Sequence, residues 1–131
     1  MIKNLFTTST LNEQCWILLG QTKGQVTLAR KSAKSEGQPT QVEFDHAWLL
    51  EREVLAGDVA GFIHTHPSGI LRPSRKDINT MRAWVSCFGR PLLCLIACDN
   101  EVAAYEFRSD SCQGVRVECE SFGTQYVVVR T

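Results

Sequence analysis

Val59-Ala60-Gly61-Phe62-Ile63-His64-Thr65-His66 runs into Pro67, and Ser74-Arg75-Lys76-Asp77-Ile78 follows the seven residues Pro67 to Pro73. The first run is apolar and rich in strand formers. Residues two apart in a strand share a face, so His64 and His66 project side by side. Pro67-Ser68-Gly69 is turn chemistry. Beyond Pro73, a serine followed three residues later by an acid reads as the capping-box start of a helix, with Asp77 on its first turn. Strand, loop and helix thus deliver two imidazoles and one carboxylate. Three protein ligands plus water is the catalytic zinc arrangement, whereas a closed structural site takes a fourth ligand, usually cysteine or histidine.

Each piece alone has an ordinary explanation. A His-x-His pair is often two unrelated histidines, and Ser-x-x-Asp before a periodic segment is usually only a helix cap. The combination is more demanding, because the histidine pair, the proline, the turn and the cap must all coincide.

These residues resemble the signature of the JAMM (MPN-plus) zinc metalloprotease family: His64-Thr65-His66-Pro67, the seven residues to Pro73, then Ser74-Arg75-Lys76-Asp77. The run Glu13-Gln14-Cys15-Trp16-Ile17-Leu18-Leu19-Gly20 is similar to that family's second element, with Trp16 where a glycine is usual. The resemblance implies one zinc ion per chain held by His64, His66 and Asp77, with Glu13 as general acid/base and Ser74 as stabiliser of the tetrahedral intermediate. It also implies a substrate: the C-terminal tail of a ubiquitin-like or sulfur-carrier-like protein, or its conjugates. In that scheme zinc lowers the pKa of its water towards about 7. Glu13 takes the proton and hands it to the leaving amine. A Ser74 hydrogen bond to the developing oxyanion is worth roughly 3 kcal/mol. Trp16 is expected to narrow or reshape the groove near Glu13.

Other candidates rank lower. Glu43, Glu51 and Glu53 fall on or beside an expected helix, where a charged outer face explains them. His46, beside Asp45 at the start of that helix, reads as a helix-terminal surface residue. Arg72, Arg75, Lys76 and Arg82 read as a solvated loop and helix face; the functional alternative is that they steer an acidic or carboxylate-bearing substrate.

The chain has 131 residues, one domain's length, so a single domain over 1–131 is expected. Lysine plus arginine and aspartate plus glutamate both number 14, which suggests no bulk attraction to nucleic acid or acidic membranes. The longest apolar run near the N-terminus is too short for a signal or a membrane span, and the chain reads as cytoplasmic. Six cysteines, Cys15, Cys87, Cys94, Cys98, Cys112 and Cys119, include no C-x-x-C pair. Most read as small buried hydrophobes, with Cys112 as the exposed thiol.

The periodicity predicts strands near 14–20 and 24–30, a polar, mobile linker over 31–41 and a helix near 44–55. The histidine-bearing strand and a helix from 74 to about 88 follow. Next come a hairpin of 92–97 and 102–107 around Cys98-Asp99-Asn100-Glu101, an alternating strand through Val115, Val117 and Cys119, and a strand at 126–129. The fold class is therefore α/β: a mixed, curved β-sheet flanked by two main helices, as the resemblance also implies.

Two other function classes compete. His-x-His-Pro-Ser-Gly followed by Pro-Ser-x-x-Asp-Ile also resembles RadC-type proteins linked to DNA metabolism, although those usually carry asparagine where Thr65 stands, and the Glu13 strand favours the peptidase side. A non-catalytic MPN scaffold is the other, and a complete ligand set argues against it. Zinc nucleobase deaminases need H-x-E and P-C-x-x-C, and zincins need H-E-x-x-H; both patterns are absent.

Overall fold

The structure, a computed structural model, describes residues 15–20, 26–31, 46–66, 68–98, 101–122 and 125–130. Among them are eight strands and two helices. The elements are β1 (Cys15–Leu19), β2 (Val26–Lys31), α1 (His46–Ala56), β3 (Val59–Thr65), α2 (Arg75–Phe88), β4 (Leu92–Cys98), β5 (Glu101–Phe107), β6 (Cys112–Val115), β7 (Val117–Phe122) and β8 (Gln125–Arg130). The strands form one mixed sheet in the order β6-β5-β4-β3-β1-β2-β8-β7. The expected α/β architecture with two principal helices is observed. The proposed linker beyond Lys31 and Glu43 lie outside the described residues, whereas His46 opens α1.

β3 and β4 are the parallel pair, with Gly61 opposite Leu93 and Thr65 opposite Ala97; the other pairings are antiparallel. Parallel neighbours need a crossover, which α2 supplies. This helix is well specified. Ser74 caps its start with both halves of the capping box in place, and Gly89 ends it in the left-handed region at φ 70°. Ile78, Met81, Val85 and Phe88 recur at helical spacing and pack on the sheet.

The sheet buries both faces. On the helix side, Cys15, Ile17, Phe62, Cys94, Ile96 and Phe107 pack against Leu49 of α1 and Met81 and Val85 of α2. On the other, Trp16, Leu18, Ile63, Leu93, Leu95 and Ala97 meet Ala104 and Cys119. Strand alternation accounts for this division except in β3, where Val59 and Phe62 face the helices while Ala60 and Ile63 face away. The phase flips because pairing jumps from Leu18 opposite Gly61 to Leu19 opposite Val59, a β-bulge that leaves Ala60 extra.

The second core exists because the sheet curls. β6 and β7 lie at opposite edges of the sheet, yet only Arg116 separates them in the chain. Successive Cα atoms are 3.80 Å apart, so the two edges must approach each other at Arg116. Val115 and Val117 then pack against the same core as Trp16 and Leu95. The single alternating strand expected through Val115 and Cys119 is therefore corrected to two strands broken at Arg116. Alternation is local and continues across the break, whereas pairing partners are decided by which edge each half joins.

A charged cluster ties α1 to the sheet. Arg90 forms a two-pronged ion pair with Glu53, one arm at 2.7 Å, and donates to the Val59 carbonyl at 2.6 Å. Glu53 is thus a structural partner rather than part of a solvated face; Glu51 is exposed as expected. Arg90→Met keeps much of the side-chain volume but leaves Glu53 and the Val59 carbonyl without this donor. The expected cost is about 2 kcal/mol, since hydrogen bonds to charged groups contribute roughly 1.5–3 kcal/mol. Chemical denaturation of the two proteins measures it.

Candidate metal centre

His64 is the penultimate residue of β3, and His66 lies just past the strand end, its backbone N–H donating 3.0 Å to the Ala97 carbonyl of β4. The parallel pairing therefore continues to the second histidine. Asp77 reaches the same place from the first turn of α2. The cluster sits at the carboxyl ends of the two parallel strands, beside a helix N-terminus whose dipole favours a carboxylate.

Asp77 faces both rings. Its Oδ1 lies 3.1 Å from His64 Nε2 and its Oδ2 3.2 Å from His66 Nε2. The ring centroids are 4.9 Å apart. Ligands of a tetrahedral zinc, bound at ~2.0–2.1 Å, stand about 3.3–3.5 Å from one another, so these separations suit a shared ion. All three ligand atoms lie within 4.8 Å of one another.

His64 supplies the test of fit. The residue is 4 % exposed, and its Nε2, although 3.1 Å from Asp77 Oδ1, makes no hydrogen bond. Buried polar atoms without partners are rare and call for an explanation. A metal ion on the three ligand atoms would provide one. His66 is prepared differently: its Nδ1 donates to the Ile70 carbonyl at 2.7 Å. A carbonyl can only accept, so Nδ1 carries a proton and Nε2 is the nitrogen left to serve as a metal ligand.

Asp77 carries a second duty. Its Oδ2 accepts the Ser74 backbone N–H at 2.8 Å, while the Ser74 Oγ accepts the Asp77 N–H at 3.1 Å. One residue therefore serves as helix cap and metal-ligand candidate. Burial works against ionising this carboxyl, but contacts with His64 and His66, the charge of His64 and the Ser74 N–H outweigh it and hold the carboxyl well below the usual carboxylate range. The Ser74 side chain is exposed, and its hydroxyl proton is not used in the cap.

The structure thus brings His64, His66 and Asp77 together, with Ser74 one turn away; Glu13 lies outside the described residues. The groove near Glu13 that Trp16 is expected to shape lies outside the described residues; Trp16 itself is buried among Leu18, Ile63 and Leu95 on the sheet face opposite Cys15, which pairs with His64. Strand alternation sends neighbouring side chains to opposite faces. Of the cysteines, Cys15, Cys94 and Cys119 are buried, and Cys87 is exposed along with Cys112. Burial pushes the Cys119 thiol up to about 12 and Cys94 well above its ordinary value, as expected of small hydrophobes rather than nucleophiles.

Comparison with known families agrees with this geometry. The profile described as prokaryotic homologs of the JAB domain matches residues 7–112. The chain belongs to that family. The match spans both the Glu13 segment and the His64, His66 and Asp77 cluster, and the JAMM resemblance pointed to the same group. No curated protein matches the sequence. Family membership supports a hydrolase or MPN-type role, for the family holds metalloproteases as well as members without catalysis.

What the sequence did not disclose is the carbonyl of Ile70. A backbone acceptor leaves no mark in residue identity; the only available signal was that a loop so close to two ligands must hold one of them.

Proposed function

We propose that this JAB-family protein is a zinc-dependent isopeptidase or peptidase that cleaves after the C-terminal tail of a ubiquitin-like or sulfur-carrier-like protein. The observation that carries the reading is the buried His64 Nε2, without a hydrogen bond, converging with His66 Nε2 on both oxygens of Asp77. His64, His66 and Asp77 would hold the ion, which when bound supplies Lewis-acid activation of water near neutral pH. Glu13, two residues before the β1 cysteine that pairs with His64, takes the proton from water and passes it to the leaving amine. Ser74, its hydroxyl proton free of the helix cap, donates to the oxyanion. A scaffold would gain nothing from leaving an imidazole nitrogen buried without a hydrogen bond.

A tail ending in small residues suits recognition by backbone hydrogen bonds, with the reaction at its end. No helix among the described residues is long and apolar enough to cross a membrane. A cytoplasmic location and a protein rather than nucleic-acid partner, the latter supported by the balanced charge, belong to the same proposal.

Two measurements test it. Glu13→Ala is expected to retain one zinc per chain while losing at least about 100-fold in hydrolysis of a ubiquitin-like fusion, the lower bound for a general acid/base. Near-normal turnover removes Glu13 from the mechanism. Arg72 and Arg75 are both exposed beside the centre. Reversing both to glutamate is expected to leave kcat/KM within about threefold, as solvated charges on a loop and helix face do; a larger loss that grows at low salt shows that they steer an acidic substrate.

A further inference from the structure

Residues 68–74 carry no helix or strand, yet this stretch must hold the metal-ligand candidate His66 steady. Among the described residues, the Gly69 N–H donates to the His66 carbonyl at 2.9 Å, the Ile70 N–H to Ser68 Oγ at 3.4 Å, and His66 Nδ1 to the Ile70 carbonyl at 2.7 Å. Ile70 itself is 54 % exposed, so its side chain anchors nothing. The next residue is different. Leu71 packs against the helix-side core, and its carbonyl accepts the hydroxyl of Tyr105 at 2.7 Å. Tyr105 belongs to β5, beyond β4 from the strand that bears the histidines, and it pairs with Cys94 of β4.

We propose that Tyr105 is a positioning residue for the metal centre, acting through the loop. Its hydroxyl fixes the Leu71 carbonyl; the Ile70 carbonyl, one peptide earlier, is thereby set where it accepts Nδ1–H of His66; and that bond sets the ring plane and leaves Nε2 as the ligand nitrogen. Without the hydroxyl, the Ile70 carbonyl is free to turn towards solvent, and His66 loses both its orientation and its tautomer bias. Losing a partner that hydrogen-bonds a ligand directly, as the Ile70 carbonyl does His66, typically changes metal affinity by about 10–100-fold. Tyr105 touches neither ion nor substrate in this arrangement, so its role is in the geometry of His66.

This inference rests on the metal-centre reading above, and its test is a binding measurement independent of any substrate. Zinc affinity is measured by chelator competition, and the visible spectrum is recorded with cobalt(II) in place of zinc, for the wild type, Tyr105→Phe and Arg90→Met. Arg90 stabilises the α1 side of the fold without contacting the loop, so its variant reports what lost stability alone does to affinity. The expected result is a roughly tenfold or greater weakening of zinc binding and an altered cobalt spectrum in Tyr105→Phe, with Arg90→Met close to wild type. Affinity within twofold of wild type in Tyr105→Phe, or equal losses in the two variants, overturns the proposal while leaving the metal centre standing. A wild type that binds neither ion overturns the metal centre and this role with it.

Discussion

Asp77→Asn is expected to strip the ion from the protein while leaving α2 in place. The amide oxygen of asparagine can still accept the Ser74 N–H, and the backbone N–H of residue 77 still donates to Ser74 Oγ, so both halves of the capping box survive and the helix start is retained. The anionic ligand is lost. With two neutral imidazoles remaining, zinc affinity should fall by more than the roughly 10–100-fold typical of an outer-shell change, because a direct ligand has been removed. His64→Ala should lose the ion as well, and it opens a void where the buried ring stood. Metal content after reconstitution and desalting, read beside far-UV circular dichroism, separates loss of the ion from loss of the fold. Full zinc occupancy in Asp77→Asn would remove this carboxylate from the centre.

Gly61→Ala should be the most damaging single methyl in the described part of the chain. A Cβ at this position would lie 2.0 Å from the Leu93 carbonyl oxygen and within 3 Å of the Leu93 carbonyl carbon and nitrogen. These are backbone atoms of the neighbouring strand and have no rotamer by which to yield. Gly61 also sits at the bulge that turns Phe62 and His64 to the helix side, so relief by shifting β3 would disturb the ligand strand itself. Inserting bulk into a close-packed site costs about 1–3 kcal/mol, and a clash with backbone belongs at or above the upper end. We expect about 3 kcal/mol or more, roughly a 10 °C fall in Tm for a domain of this size. Gly114→Ala is the control, since nothing lies within 4 Å of a Cβ built there. Equal Tm values for the two variants would mean that β3 and β4 can separate at this point without cost.

Much of the centre was legible in residue order. The His-x-His spacing, the turn at Pro67 and the cap at Ser74 are short-range signals, and each is a property of a few adjacent residues. Helix α2 was readable for the same reason, with a cap at one end, a glycine at the other and an apolar stripe between. Glu53 was less so. Its residue type suits a solvated helix face, and only the return of the chain at Arg90 makes it an ion-pair partner. The sheet face of Trp16 was not given by its position in a motif; the strand pleat gives it.

By itself, the sequence determined the ligand types, the strand and helix that carry them, and the alternation that divides each strand between two cores, since these depend on backbone geometry over a few residues. Tertiary structure alone decided that the sheet curls until β6 and β7 approach each other at Arg116, that a bulge at Ala60 resets the face of β3, and that a tyrosine from β5 reaches the loop behind His66. Those features depend on which distant strands become neighbours, and pairing between edges far apart in the chain is set by the packing of the whole sheet rather than by any local pattern.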